Sequence, residues 1–198
     1  MAIQGGSGVR ISGRGLTDIQ KDLELLTKLE VLVGFPEETT DRDPAEDGKK
    51  EDLTNAALGY IHDNGAPEAN IPQREFMVPG IQAAREKITD KLGQTMKAVL
   101  RGGGEAKIEQ GFTQVGLIAA NSIKRTINEG IPPPLSDRTL RARMKAGRKN
   151  GGGARKGAAQ ELDRRWDGQA PSLEYAKPLV DTAQMRNAVT FVIRKKKG

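Results

Sequence analysis

Apolar residues recur at helical spacing over three segments of the chain. Residues 17–29 place leucine and isoleucine side chains on one stripe. Residues 81–100 and 105–128 repeat the same three-or-four-residue spacing, and Gly102-Gly103-Gly104 separates them. Two helices of this length joined by a glycine turn predict an antiparallel hairpin. Because their apolar stripes are narrow, we expect a sheet or another chain to cover them.

Two shorter segments have the composition of strands. Val31 to Phe35 is β-branched and apolar on both faces, which predicts a strand inside a sheet. Ala188 to Arg194 alternates as a strand does, and we expect it to pair antiparallel with the first. A short helix capped by Asp52 or Thr54 runs through Ile61. The pattern predicts an α+β fold: a small antiparallel sheet packed with the two-helix hairpin, shorter helices and long mobile loops.

The stretch from Gly59 to Gly80 connects the short helix to the hairpin. Asn64-Gly65 predicts a helix end, and three prolines predict extended backbone after it. The stretch is too apolar for a surface linker, so it packs either on the chain's own core or on a neighbouring subunit. The second interpretation assigns a subunit or partner interface to Ile71, Arg74, Phe76, Met77, Val78 and His62.

Two segments without apolar periodicity interrupt a single predicted domain, 1–198. The first is an acidic loop at 36–52, and the second is a basic, glycine-rich insertion at about 136–170. Within the insertion Ser136 can cap a short basic helix, and residues 145–160 are the best candidate for disorder. Trp166 is expected to pin this loop down. Val9 to Ser12 is predicted as a further short strand.

The basic charge of the chain is concentrated in the insertion. The formal charge is 32 − 26 = +6, and the segment from Ser136 to Gly168 contributes 10 − 4 = +6 on its own. This charge suits DNA or an acidic protein surface, or it merely solvates a loop. The candidate DNA-channel or partner contacts are Arg138, Arg141, Arg143, Lys145, Arg148, Lys149, Lys195 and Lys196.

No catalytic or metal-binding constellation is evident in the sequence. The chain has no cysteine and one histidine, and the His62-Asp63 pair lacks a placed nucleophile. The acidic run 41–48 lacks the ligand spacing of a calcium loop, and neither glycine cluster resembles a phosphate loop. We therefore predict a protein that is not an enzyme and has no cofactor or metal. No segment reaches membrane-spanning length or forms a secretory leader, so we expect a protein made in a cytosol.

Several segments resemble a known family when they are taken in order. They are VLVGF at 31–35, YIHDNG and IPQREFMVPGI within 60–81, PLSDRTL at 134–140 and PLVDTAQMRNAVTF at 178–191. Their order and spacing are similar to those of the tail-completion and head–tail joining proteins of tailed bacteriophages. That family includes the virion-morphogenesis proteins of Mu-like phages and the minor tail proteins of lambda-like phages.

The resemblance is carried residue by residue. The positions that match the family pattern are Val33-Gly34-Phe35, Ile61-His62, Gly65, Ile71-Pro72, Arg74, Phe76, Leu179, Asp181-Thr182 and Asn187. The departures are Asp63-Asn64 for the usual Glu-Phe, Glu75 for a proline, Ala183 for a glycine and Ala188 for a serine. The basic insertion lies largely outside the resemblance.

The resemblance implies a non-enzymatic structural protein of the virion. Such a protein forms a ring, commonly a hexamer, at the neck between head and tail, and is assembled in the host cytoplasm. Its neighbours are tail-tube or tail-terminator proteins on one side and head-completion or portal-side proteins on the other. Basic residues lining the channel would contact passing DNA without sequence preference. The alternatives are a nucleic-acid-binding accessory or assembly protein that uses the basic loop and C-terminal tail, and an enzyme dependent on His62.

Overall fold

The computed structural model describes residues 16–42, 53–145, 152–181 and 183–196. The predicted strand at Val9 to Ser12 lies outside these residues. The elements in chain order are α1 (Leu16–Lys28), β1 (Leu29–Gly34), α2 (Glu37–Thr40), α3 (Asn55–Asn64), a 3₁₀ turn (Pro67–Ala69), α4 (Met77–Ala83), α5 (Arg85–Ala98), a π-helical turn (Val99–Gly103), α6 (Gly104–Glu129), α7 (Asp137–Lys145), α8 (Gly152–Trp166), α9 (Gln184–Ala188) and β2 (Thr190–Lys195).

The predicted α+β fold is confirmed, and its sheet is the antiparallel pair of β1 and β2. Val31 lies opposite Ile193, and Val33 lies opposite Phe191. Side chains alternate across a strand, so these four residues share the face that packs on the helices. The outer face carries the cross-strand pair Glu30 and Arg194, 2.8 Å apart. The prediction that β1 lies inside a sheet was wrong for the described residues, because β2 is the only strand paired with it.

Helix α6 is the element on which the rest of the fold packs. Its buried positions recur at three or four residues and include Ile108, Phe112, Ile123 and Ile127. They face α4, α5 and both strands, which supplies the cover that the narrow stripe required. Gly116 allows this close approach, because a Cβ there would lie 2.2 Å from the ring of Phe191.

The segment predicted as one helix over 81–100 is two helices. The chain leaves helical geometry at Ala84, with φ −98° and ψ −1°, and this residue separates α4 from α5. The turn after α5 uses Gly102 at φ 102°, as the glycine cluster predicted. Leu92 and Met96 belong to the apolar spacing of residues 81–100, which predicts a buried stripe, but they are exposed because α6 packs on the adjoining face of α5.

The basic insertion forms an ordered helical unit over most of its described length. Leu135, Leu140, Ala158 and Ala176 make a small core between α7 and α8. Ser136 caps α7 as predicted, since its hydroxyl accepts from the Thr139 N–H at 3.3 Å. The sequence indicated disorder over 145–160, but residues 152–160 belong to α8; residues 146–151 lie outside the described part.

Two contacts explain why α8 forms despite its glycines. Gly157 lets the helix lie against the chain at Tyr175, whose carbonyl oxygen would be 2.0 Å from an added Cβ. Glu161 is fully buried and accepts from Ser172 N at 2.7 Å and Ser172 Oγ at 2.8 Å. The prediction for Trp166 was wrong: its side chain is 89% exposed and pins nothing within the described chain.

The remaining short elements follow local signals. Thr54, rather than Asp52, caps α3, because its hydroxyl accepts from the Ala57 N–H at 3.1 Å. Gly65 follows α3 at φ 78°, as the predicted helix end required. The predicted loop at 36–52 contains the one-turn helix α2, and residues 43–52 lie outside the described part.

Candidate functional site

A cavity of about 1060 Å³ lies where four segments distant in sequence meet. Its walls come from Arg42 after α2, the stretch 58–74 with the end of α3 and the extended chain after it, the segment 133–143 and the segment 178–185. Its volume is at the upper end of the range for ligand pockets in proteins. About half of the lining residues are proline or aliphatic, and most of the others are polar or charged. An apolar wall with polar groups between is typical of a ligand site, so we treat this cavity as the candidate site.

The extended wall of the cavity is anchored by hydrogen bonds to the end of α3. Asp63 Oδ1 accepts from the backbone N–H groups of Phe76 at 2.8 Å and Met77 at 3.1 Å. The carboxylate therefore satisfies donors at the start of α4, as an N-cap side chain does. Arg74 N donates to His62 O at 2.8 Å, and Ala66 pairs with Ile71 in an antiparallel bridge. This segment is thus held in one shape.

Two buried arginines line the cavity. Arg74 is 6% exposed and donates from Nη2 to the carbonyl of Pro133 at 2.9 Å. Arg143 is 9% exposed and donates from Nη1 to the carbonyls of Lys177 at 3.0 Å and Val180 at 3.1 Å. Arginine is almost never this buried unless it is paired, so both positions are unusual. Each side chain ties two distant segments together at the cavity wall.

The charge of this site is only partly balanced. The carboxylate nearest to Arg143 is that of Asp181, at 3.7 Å from Nε, and its side chain is half exposed. Burial lowers the pKa of Arg74, and the positive charge of Arg143 lowers it further. Burial also lowers the pKa of Arg143, which Asp181 opposes. The two guanidinium groups therefore lie within electrostatic reach of each other, and the carboxylate of Asp181 pairs with Arg143 alone.

His62 lies beside this charge. Burial lowers the pKa of its imidazole, and the charges of Arg74 and Arg143 lower it further. Its Nδ1 atom is buried and has no hydrogen-bond partner among the described residues. Asp63 turns away to cap α4, so the hydrogen-bonded His–Asp base considered from the sequence is not formed through Nδ1.

The segment 178–185 reaches the cavity through unusual backbone geometry. Leu179 has φ 63° and Ala183 has φ 62°, the left-handed region that favours glycine. Ala183 is the position where the resemblance expects glycine. The left-handed residue lets the chain turn from the cavity wall into α9.

The predicted interface residues do not form one accessible surface. Phe76 is fully buried in the core around α6, so it cannot contact a neighbour in this conformation. This corrects the interface prediction for Phe76 and supports the other interpretation, packing on the chain's own core. Arg74 is also buried, but it lines the cavity rather than this core. Ile71 and His62 line the cavity, and Val78 is 50% exposed on α4. Met77 is half-buried against the same core around α6.

The predicted basic contacts are also divided by the structure. Arg138, Arg141 and Lys145 are exposed at positions i, i+3 and i+7 of α7, which places them on one side of that helix. Lys195 and Lys196 are exposed at the end of β2. Arg143 lies apart from these residues, because its guanidinium is buried at the cavity wall and donates to backbone carbonyls, so it does not belong to the exposed basic face of α7. Arg148 and Lys149 lie outside the described residues.

Sequence reasoning missed the roles of Asp63 and Arg143. Asp63 bonds residues 13 and 14 positions away, and the carbonyl partners of Arg143 lie 34 and 37 positions away. Local spacing carries no signal for either contact.

Within the described ranges, no three His, Asp or Glu side chains are grouped as metal ligands. None of the described helices combines the length and apolarity needed to cross a bilayer.

Comparison with protein-family models, curated proteins and solved structures gives no match for this chain.

Proposed function

We propose that this chain is a structural protein of the neck of a tailed bacteriophage. In this proposal identical copies form a closed ring, commonly of six subunits, that completes the tail and joins it to the head. The ring contacts tail-tube or tail-terminator proteins on one side and head-completion or portal-side proteins on the other. The protein is assembled in the host cytoplasm, resides in the virion and performs no catalysis.

The observation that carries the proposal is the meeting of the family-like motifs in space. Parts of the IHDNG, IPQREF, PLSD and PLVDTA segments line the one cavity described above, although they span residues 61 to 183. A chance likeness between short sequence segments gives no reason for those segments to meet. Their convergence supports an origin in one conserved packing arrangement of the kind that the resemblance implies.

The backbone at Ala183 gives separate support. The family pattern has glycine here, and Ala183 has φ 62°, where a Cβ costs about 1 kcal/mol or more. A position that needs left-handed geometry is where a family retains glycine. The left-handed φ of Ala183 therefore supports the resemblance at a position where the residue itself departs from the pattern.

A stripe of apolar side chains supports self-assembly. Leu92 and Met96 on α5 and Leu100 just after it are spaced by four residues, and each is 40% exposed or more. An aligned apolar stripe on a surface helix is a common feature of protein interfaces. A closed ring requires two different complementary surfaces on each subunit, and we assign this stripe to one of them.

Electron microscopy of the virion that encodes this chain tests the proposal. We expect a single ring of the protein between head and tail. Virions that contain no copy of the chain by mass spectrometry would overturn it.

Mass photometry of the purified chain tests ring formation itself. We expect Met96→Glu to abolish the ring. Gln94→Glu adds the same charge elsewhere on α5 and should leave the ring intact.

The second candidate function is nucleic-acid binding by the α7 face. The exposed residues Arg138, Arg141 and Lys145 favour it, because phosphate contacts require accessible cations. Duplex DNA binding by the purified chain, measured at low and physiological salt, tests this candidate. Binding at physiological salt that is lost in the Arg138→Gln/Arg141→Gln/Lys145→Gln variant favours an accessory protein. Binding that disappears at physiological salt excludes that role and leaves the structural proposal.

A further inference from the structure

At the cavity wall, the described residues provide two buried guanidinium groups and one carboxylate in ion-pair contact with them. Arg74 and Arg143 both line the cavity, both are more than nine-tenths buried, and Asp181 supplies the carboxylate nearest to Arg143. Arg74 Nε is buried without a hydrogen-bond partner among the described residues, and so is His62 Nδ1.

Carbonyl oxygens bind these guanidinium groups without cancelling their charge. Two like charges at low effective dielectric repel each other, and an added anion between them would relieve the repulsion. The half-exposed carboxylate of Asp181 occupies only one side of Arg143, at a distance longer than a good charge-assisted hydrogen bond. The site therefore complements a further anionic group.

The walls decide which class of anion fits. The rest of the lining is mainly proline and aliphatic, for example Ile71, Pro134, Leu179 and Met185. Among the described residues, the lining includes no aromatic side chain on which a nucleobase could stack. The cavity also exceeds the space that one small anion fills, and its walls suit apolar side chains on either side of a charged one.

We propose that this cavity binds an extended peptide segment of a partner protein through an Asp or Glu carboxylate of that segment. The carboxylate lies between Arg74 and Arg143, and the flanking residues of the segment pack on the proline and aliphatic walls. The partner is a neighbouring neck protein only if the proposed function holds; the binding chemistry goes beyond that proposal and does not depend on ring formation.

The single histidine makes the proposal directly measurable. Because the chain has one His, its imidazole Cε1–H signal in an NMR spectrum is unique and lies at the cavity wall. The probe is acetyl-Val-Glu-Val-amide, and its matched control is acetyl-Val-Gln-Val-amide. We expect saturable movement of the His62 signal with the glutamate peptide and at least tenfold weaker binding of the glutamine peptide.

Three variants locate the bound carboxylate. Asp181→Asn removes the competing carboxylate from a half-exposed site, so it should fold and bind the glutamate peptide severalfold more tightly. Arg143→Met should weaken binding at least tenfold, while Arg138→Gln, an exposed position on the same helix, should leave it unchanged. An unchanged affinity in Asp181→Asn would overturn the proposal even if Arg143→Met fails to fold.

Two further titrations identify the source of the anion. Inorganic phosphate and a twelve-nucleotide oligothymidylate are added to the same sample. Weaker binding of both than of the glutamate peptide supports the proposal. Equal or tighter binding of either one overturns it, as does the absence of saturable movement at millimolar glutamate peptide.

Discussion

Replacing Gly157 by alanine tests whether α8 is packed as the structure shows. Alanine favours a helix interior over glycine by about 0.5–1 kcal/mol, so propensity alone predicts stabilisation. The new Cβ, however, would lie 2.0 Å from the carbonyl oxygen of Tyr175, and ordinary contact begins at 3.4 Å. The backbone must therefore move by about 3.4 − 2.0 = 1.4 Å.

The cost of this movement sets the expected result. Overpacking of a well-packed site costs about 1–3 kcal/mol, and a rigid carbonyl places this case toward the upper value. After the propensity gain we expect a net loss of about 1–2 kcal/mol in the free energy of unfolding. For a chain of this size that corresponds to a melting temperature lower by about 2–8 °C.

Gly93 provides the matched control. It also lies inside a helix, but nothing lies within 4 Å of an added Cβ. Gly93→Ala should therefore stabilise the protein by about 0.5–1 kcal/mol. Thermal unfolding followed by circular dichroism measures both variants. Limited trypsin digestion at Arg155 and Lys156 then reports on α8 itself, and cleavage there should accelerate only in Gly157→Ala.

Equal stabilisation by the two substitutions would refute this reasoning. It would mean that α8 forms but does not lie against Tyr175. No change in stability in Gly157→Ala would mean instead that the disorder indicated by the glycine-rich sequence holds for residues 152–160.

Three other predictions concern the cavity walls. Asp63→Ala should lower the free energy of unfolding by about 1–2 kcal/mol, measured by urea titration, because two N–H groups at the start of α4 lose their acceptor; Asp63→Asn, which keeps an oxygen, should lose less. Ala183→Gly should raise stability by about 0.5–1 kcal/mol, because relief of the left-handed φ exceeds the entropy that glycine adds to the unfolded chain. Ala142→Gly is the control, because Ala142 is exposed inside α7; it should lower the free energy of unfolding by about 1 kcal/mol. A lower free energy of unfolding in both variants would contradict the left-handed conformation of Ala183. The free energy of unfolding should also fall as pH drops through 6.5, because burial and the two arginines lower the pKa of His62 and the unfolded chain binds the proton first. This loss should level off below the folded pKa, and it should be reduced in His62→Gln, as urea titrations over a pH series will show.

The sequence by itself determined the elements whose signals are local. The three-or-four-residue spacing in α6, the alternation in β2 and the stop at Gly65 each depend on residues within one or two turns of each other. The sequence limited the cap of α3 to Asp52 or Thr54, and the structure selected Thr54. The antiparallel pairing of β1 and β2 also followed, because the chain offered two β-branched segments of similar length. These predictions succeeded because the local backbone conformation limits which residue types fit at each of these positions.

The tertiary structure decided what the same residue types do at a distance. Arg141 and Arg143 look alike in the basic run, yet one is exposed and the other is buried, because α7 turns only Arg143 toward the carbonyls of 177 and 180. Gly157 reads as a helix breaker and is instead a contact point for Tyr175. The cavity itself exists only because four distant segments meet, and no local spacing encodes their approach. These roles result from tertiary packing, because they depend on which distant surfaces the folded chain brings into contact.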